Sequence, residues 1–160
     1  MISGIALVFG DDINTDLLHP SYFFSLDQKT VRAGFMGELA EVRSRDKDRD
    51  RLIVAGRNFG CGSSRETTMT ALKLAGVNAV IAESFGRIFF RNAMSLGVPA
   101  FQVDSVAGFA VSGDSLELTG LAVRNVGSGN SIQLNPPDPF WADVLASGGL
   151  LPFLSRRGEL

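Results

Sequence analysis

The chain has 160 residues, 45% of them hydrophobic and 20% charged, with 15 lysines and arginines against 17 aspartates and glutamates. That length and composition suit one globular domain with a real core, running over residues 1–160. A net charge of −2 leaves no basic surplus for nucleic-acid phosphates, and one cysteine excludes both an internal disulfide framework and a chain that holds an iron–sulfur cluster by itself.

The first apolar run, Ile5 to Phe9, reads as a buried strand. It ends in Gly10-Asp11-Asp12-Ile13-Asn14-Thr15-Asp16, which is rich in turn formers and in carboxylates. Three aspartates could hold a hard cation, but the calcium-loop glycine and terminal glutamate are missing, so a locally hydrogen-bonded loop is the better reading. His19 is the only histidine, which rules out a histidine-based metal site and favours a structural role beside Pro20. Tyr22-Phe23-Phe24 is either core or the apolar wall of a pocket, and spacing favours core. Phe35 to Val42 reads as a short helix. Arg43 to Arg51 alternates in sign and reads as a solvated loop.

The densest signal follows. Leu52-Ile53-Val54-Ala55 is strand-like and leads into Gly56-Arg57-Asn58-Phe59-Gly60-Cys61-Gly62-Ser63-Ser64-Arg65-Glu66. Thr67 to Ala75 then has helical character and stops at Gly76. Glycines at 56, 60 and 62 allow positive φ and a close backbone approach to a ligand. Ser63-x-x-Glu66 fits a capping box, which predicts Ser63 or Ser64 as the helix cap. Backbone N–H groups, two hydroxyls and Arg65 would then converge where a helix dipole favours an anion. A carboxylate or a phosphate would suit that turn. The P-loop lysine is absent, and Arg65 stands where a dinucleotide fingerprint needs its third glycine. From spacing alone, a glycine turn before a well-capped helix competes evenly with an anion site, and Arg65 tips the balance toward the site.

A strand at Ala79 to Ala82, a helix from Gly86 to Leu96 stopped by Gly97, and a strand at Val98 to Phe101 repeat the pattern. Such units predict parallel strands with right-handed crossovers. Arg87 and Arg91 share one helical face, where they can line an anion site or, more commonly, pair with exposed acids. Asp114–Leu118, Leu121–Val126 and Ser131–Leu134 are short runs separated by glycine turns, which predicts a β-meander. Phe140 to Ala146 reads as a last amphipathic helix before Gly148-Gly149. The fold class is α/β, with a parallel strand–helix–strand core and a β-rich C-terminal part.

Gly60-Cys61-Gly62-Ser63-Ser64-Arg65-Glu66, with Asn14-Thr15-Asp16 upstream and Phe85 to Asn92 downstream, resembles the small subunits of 3-isopropylmalate dehydratase (isopropylmalate isomerase), the swivel domain of the aconitase superfamily. The ending Leu145-Ala146-Ser147-Gly148-Gly149-Leu150 extends the likeness over nearly the whole chain. The resemblance implies a swivelling β/β/α domain that closes over a large subunit carrying a [4Fe–4S] cluster, as a heterodimer or heterotetramer. It implies a hydro-lyase of leucine biosynthesis, which interconverts 2-isopropylmalate and 3-isopropylmalate through an alkene. By the same resemblance Ser63 is the catalytic base. Ser64 and Arg65 hold substrate carboxylates, and Asp16 faces histidines on the cluster side. Thr15, Gly62 and Phe24 complete the expected substrate contacts. No metal is expected on this chain, and Cys61 is expected to be a small packed residue rather than a cluster ligand.

Two departures bear on substrate. Relatives that act on tricarboxylates carry an arginine in the loop after Asn14-Thr15-Asp16, whereas this chain has Tyr22-Phe23-Phe24-Ser25. An apolar wall suits an isopropyl group and leaves an extra carboxylate without a partner. Dimethylmalate, homoaconitate and aconitate remain as alternative substrates. A standalone anion-binding regulatory module is the reading from another class. His19 stands where an aliphatic residue is more familiar in the family, and the sequence assigns it no role. A cytoplasmic location and self-association in the absence of the partner are the remaining expectations.

Overall fold

The computed structural model describes residues 1–36, 50–62 and 65–158. Its centre is set by two apolar runs that lack a polar face. β2 (Arg51–Ala55) is buried at every position, and β3 (Val77–Ala82) at all but one. Strands buried on both faces belong inside a parallel sheet covered on each side. β2 pairs in parallel with β3, β3 with β4 (Ala100–Gln102), and β1 (Ile2–Phe9) with β2. The other edge of β1 pairs antiparallel with β5 (Ser115–Thr119), which continues into the meander of β6 (Ala122–Asn125) and β7 (Ser131–Gln133). The resulting seven-stranded sheet has the order β4-β3-β2-β1-β5-β6-β7.

Alternation along these strands builds two cores. Leu7, Ile53, Ala55, Val80 and Ala82 face one cluster, whereas Ala6, Leu52, Val54, Ala79 and Ile81 face the other. Val77 joins the first cluster although Ala79 and Ile81 join the second. The cause is a register shift, since Arg51 pairs with Val77 but Leu52 with Ala79. One extra residue in β3 reverses the facing of everything after it. The first cluster is roofed by Met69 and Leu72 of α3 (Glu66–Leu74) and by Phe89, Ala93 and Met94 of α4 (Arg87–Ser95). The second is closed by the sheet's own curl, which brings in Leu116, Leu118 and Val123 of the meander, with Val103, Phe109 and Leu134.

The helices predicted after β2 and after β3 start and stop within a residue of the expected places, and the three meander strands lie where the glycine turns put them. Elsewhere the structure corrects the sequence. Asn14 to Leu18 is not only a loop. The Asn14 side chain accepts from Leu17 N at 2.9 Å and caps a one-turn helix, α1 (Thr15–Leu18). A second short helix, α2 (Gln28–Ala33), is capped by Asp27. Phe35 and Met36 form a turn after it, with Met36 at φ +50°, rather than opening a helix. The rest of that expected helix and residues 43–49 of the charged run lie outside the described residues. At the end of that run, Arg51 is not solvated. It is buried in β2, and its guanidinium donates to the Ala75 carbonyl. After α5 (Pro139–Ala146) the chain forms one more helix, α6 (Leu150–Arg157), which sequence reading missed. Among the described residues no helix is long and apolar enough to cross a membrane.

Candidate functional site

β1, β2 and β3 all release their chains at the same end of the sheet, the carboxyl end where open α/β sheets place ligands. The three loops there are tied together by backbone. Gly56 N donates to Gly10 O, Asp12 N to Arg57 O, Gly60 N and Cys61 N to Ile13 O, and Thr15 N to Cys61 O. On the other flank Phe59 N donates to Ser84 O and Gly86 N to Phe59 O. The segment 56–62 is therefore a strip held on both edges.

Its glycines follow from that crowding. Gly60 has φ +75°, and a Cβ there would lie 2.2 Å from Cγ of Phe89. Phe59 fills the space beneath, fully buried against the rings of Phe9, Phe85 and Phe89. Asp11 and Asp12 are engaged in the loops. Asp11 Oδ1 accepts from Arg57 N at 2.7 Å, and Asp12 Oδ1 accepts from Asn58 Nδ2 at 2.7 Å. Both serve loop geometry. Among the described residues no three His, Cys, Asp or Glu side chains come together as a metal site.

Beyond the Thr15–Cys61 backbone bond, the strip and the residues that follow it meet the segment 14–24 at two further points. Gly62, at φ +92°, turns its Cβ position toward Thr15, whose Oγ1 would lie 3.6 Å away. Three residues on, the Arg65 guanidinium stacks over the Phe24 ring, 4.8 Å from its centroid. Ser63 and Ser64 fall between these two contacts in sequence and lie outside the described residues. The helix cap expected at Ser63 or Ser64 is corrected. Arg65 itself, in an extended conformation, is the N-cap of α3 and gives it no side-chain cap, so Glu66 opens the helix instead of closing a capping box. A cation at that end opposes the helix dipole, and the Phe24 ring face offsets part of the cost, by about 0.5–1 kcal/mol.

The aromatic run is also corrected. Tyr22 is 67% exposed and Phe23 and Phe24 are only half-buried, so none of the three is core. The residue buried beneath them is His19, which is fully enclosed with its ring 5.2 Å from that of Phe24 and 6.5 Å from that of Phe23. Its Nε2 pairs with the Val31 carbonyl at 3.1 Å, while Nδ1 is buried without a hydrogen-bond partner. Burial holds its pKa below the ordinary value, against the smaller upward pull of that carbonyl. Gly34 packs directly against both residues, since a Cβ there would meet the His19 ring at 2.6 Å and Phe23 Cβ at 2.4 Å.

Residues 25–105 match the model of the aconitase C-terminal domain. The chain is 42% identical to the 3-isopropylmalate dehydratase small subunit of Pyrobaculum calidifontis, over 98% of this chain and 99% of that one. The chain belongs to the family of 3-isopropylmalate dehydratase small subunits. A methanogen homoaconitase small subunit from Methanothermobacter thermautotrophicus is also 42% identical, over 94% of this chain and 89% of its own. The crystal structure of 3-isopropylmalate dehydratase from Methanocaldococcus jannaschii superposes with a TM-score of 0.87 at 34% identity, covering 98% of this chain and 95% of that one. The curled mixed sheet is thus the sheet of the family, whose members are hydro-lyase subunits.

Of the residues the sequence singled out, Gly62 and Thr15 are brought together, as are Arg65 and Phe24. Thr15 is buried, whereas Asp16, in the first turn of α1, is exposed. Cys61 is half-buried, and its backbone bridges to Asn14. His19 is the residue whose place in the site sequence reasoning missed. Its signal was available only as a lone histidine three residues before an aromatic run, and what gives it meaning is the distant Val31 carbonyl.

Proposed function

We propose that this chain, as one swivel domain over residues 1–160, is the small subunit of a heteromeric hydro-lyase that isomerises 2-isopropylmalate to 3-isopropylmalate in leucine biosynthesis. The observation that carries this reading is the pairing of Arg65 with Phe24 at the N-terminus of α3. One guanidinium for a carboxylate and one apolar wall for an alkyl group meet at a single point. Residues 20–27 contain no cation, so a third carboxylate would be desolvated without a partner. The homoaconitase relative keeps tricarboxylates, and likewise dimethylmalate, as the second reading.

In this account Ser63 removes the proton from the carbon next to a substrate carboxylate. Hydroxide leaves the neighbouring carbon, and the alkene forms. Water then adds back with the two positions exchanged, and the proton returns to the carbon that lost hydroxide. Ser64 and Arg65 hold the carboxylates, with Asp16, Thr15, Gly62 and Phe24 as the further substrate contacts. A serine becomes a competent base only where positive potential stabilises its alkoxide, and Arg65 with the helix N-terminus supplies that potential. This chain cannot hold the cluster. Its single cysteine is half-buried beside Asn14, and a [4Fe–4S] cluster needs several thiolates. The cluster belongs to the large subunit, where it supplies the Lewis acid for the departing hydroxyl. A reducing compartment, the cytoplasm, suits both chains.

The test is anaerobic reconstitution with the large subunit encoded beside this chain, then turnover of 2-isopropylmalate, dimethylmalate, homoaconitate and citrate. Preference for 2-isopropylmalate is expected. Preference for another acid keeps the chemistry and changes the pathway. No turnover from a partner with an intact cluster would return the chain to the anion-binding class.

A further inference from the structure

We propose that the exposed edge of α4 formed by Arg87, Ile88 and Arg91 is a docking surface for an acidic segment of the large subunit. The proposal rests on the heteromeric reading above and names the residues that would make the contact. Arg87 and Arg91 stand four apart on a nine-residue helix, and both are exposed. Neither has an acidic partner among the described residues, whereas Arg57 pairs with Asp11 and Glu83. Like charges at that spacing repel. Arg87 also sits in the first turn, where there is no acidic residue and Gly86 provides no side-chain cap, so its charge opposes the helix dipole. In isolation this edge is electrostatically unfavourable, and carboxylates from another molecule would correct it.

The surroundings are those of a protein contact rather than of a small-ion pocket. Ile88, between the arginines, is 49% exposed. The edge borders a shallow cleft of about 290 Å³ lined by Phe85, Phe90 and Trp141 together with both arginines. Arginine and tryptophan beside an apolar cleft are the usual anchors of protein interfaces. The place also fits. The Cβ position of Gly86 lies 2.6 Å from the Gly60 carbonyl and 3.2 Å from Cys61 Cα, so the first turn of α4 abuts the strip that carries the site. A polypeptide that completes this active site must approach that strip.

The test measures affinity between the separately purified subunits, anaerobically, at low and at raised salt. Arg87→Glu/Arg91→Glu should weaken assembly by about tenfold or more at low salt, and the gap should narrow at raised salt. The melting temperature of the isolated small subunit should not fall. Arg91→Gln alone gives a smaller loss in the same direction and serves if the double variant folds poorly. At saturating large subunit kcat and KM should return to wild-type values. Unchanged affinity would overturn the proposal. So would a raised KM at saturation, because the arginines would then serve substrate. An assembly that depends on Arg87 and Arg91 but turns over no alkylmalate would sink the functional reading and leave this one standing.

Discussion

Gly60 shows how little freedom single residues have at this site. Any side chain there enters the Phe89 ring, and φ +75° is costly for an L residue. Gly60→Ala should therefore destabilise the fold by about 3 kcal/mol, read as a lower urea midpoint. His19 gives a pH-dependent counterpart. Its pKa is lowered in the folded state by burial, so unfolding takes up a proton. Its contribution to stability is whole above the ordinary value of 6.5 and is lost as pH falls from there toward the lowered folded-state pKa. Urea titrations should show wild type losing stability over that window more than His19→Leu does. Equal slopes would remove His19 as the cause. Phe24 belongs to the same scale. Phe24→Arg puts a repelling cation beside Arg65 and a partner beside any third carboxylate, so kcat/KM of the reconstituted enzyme should shift at least about tenfold from 2-isopropylmalate toward homoaconitate.

At the scale of elements, the parts that carried the site were legible because they obey local rules. β2, β3, α3 and α4 are unbroken apolar or amphipathic runs with glycine stops, and their neighbours are near in sequence. What sequence left hidden depends on distant partners. Nothing local says that Arg51 will donate to Ala75, that Val31 will meet His19, or that Phe24 will face Arg65 rather than the core. Asn125 is a similar case at the end of β6. Its amide nitrogen donates to Phe109 O and Asp114 Oδ2, and its oxygen accepts from Gly127 N and Ser128 N. The sequence places it inside the strand run Leu121–Val126 with no further role, yet it is buried and ties the meander to the loop before β5. Asn125→Ala should cost about 2–3 kcal/mol in equilibrium unfolding, whereas Asn130→Ala, in the same exposed turn, should cost little.

For the whole molecule, the mixed sheet explains why the candidate site sits at one end. The parallel half brings the three loops to a single edge, and the antiparallel meander closes the second core away from them. The fold was therefore readable as α/β with a β-rich tail, and the candidate site as a strip of glycines before a helix. We propose Ser63, which falls in sequence between the Gly62–Thr15 and Arg65–Phe24 contacts, as the proton-abstracting group. The most direct measurement is kcat for 2-isopropylmalate with Ser63→Ala in the reconstituted enzyme. We expect a loss of at least about a hundredfold with KM within a few fold of wild type. A kcat within a few fold of wild type would contradict the account.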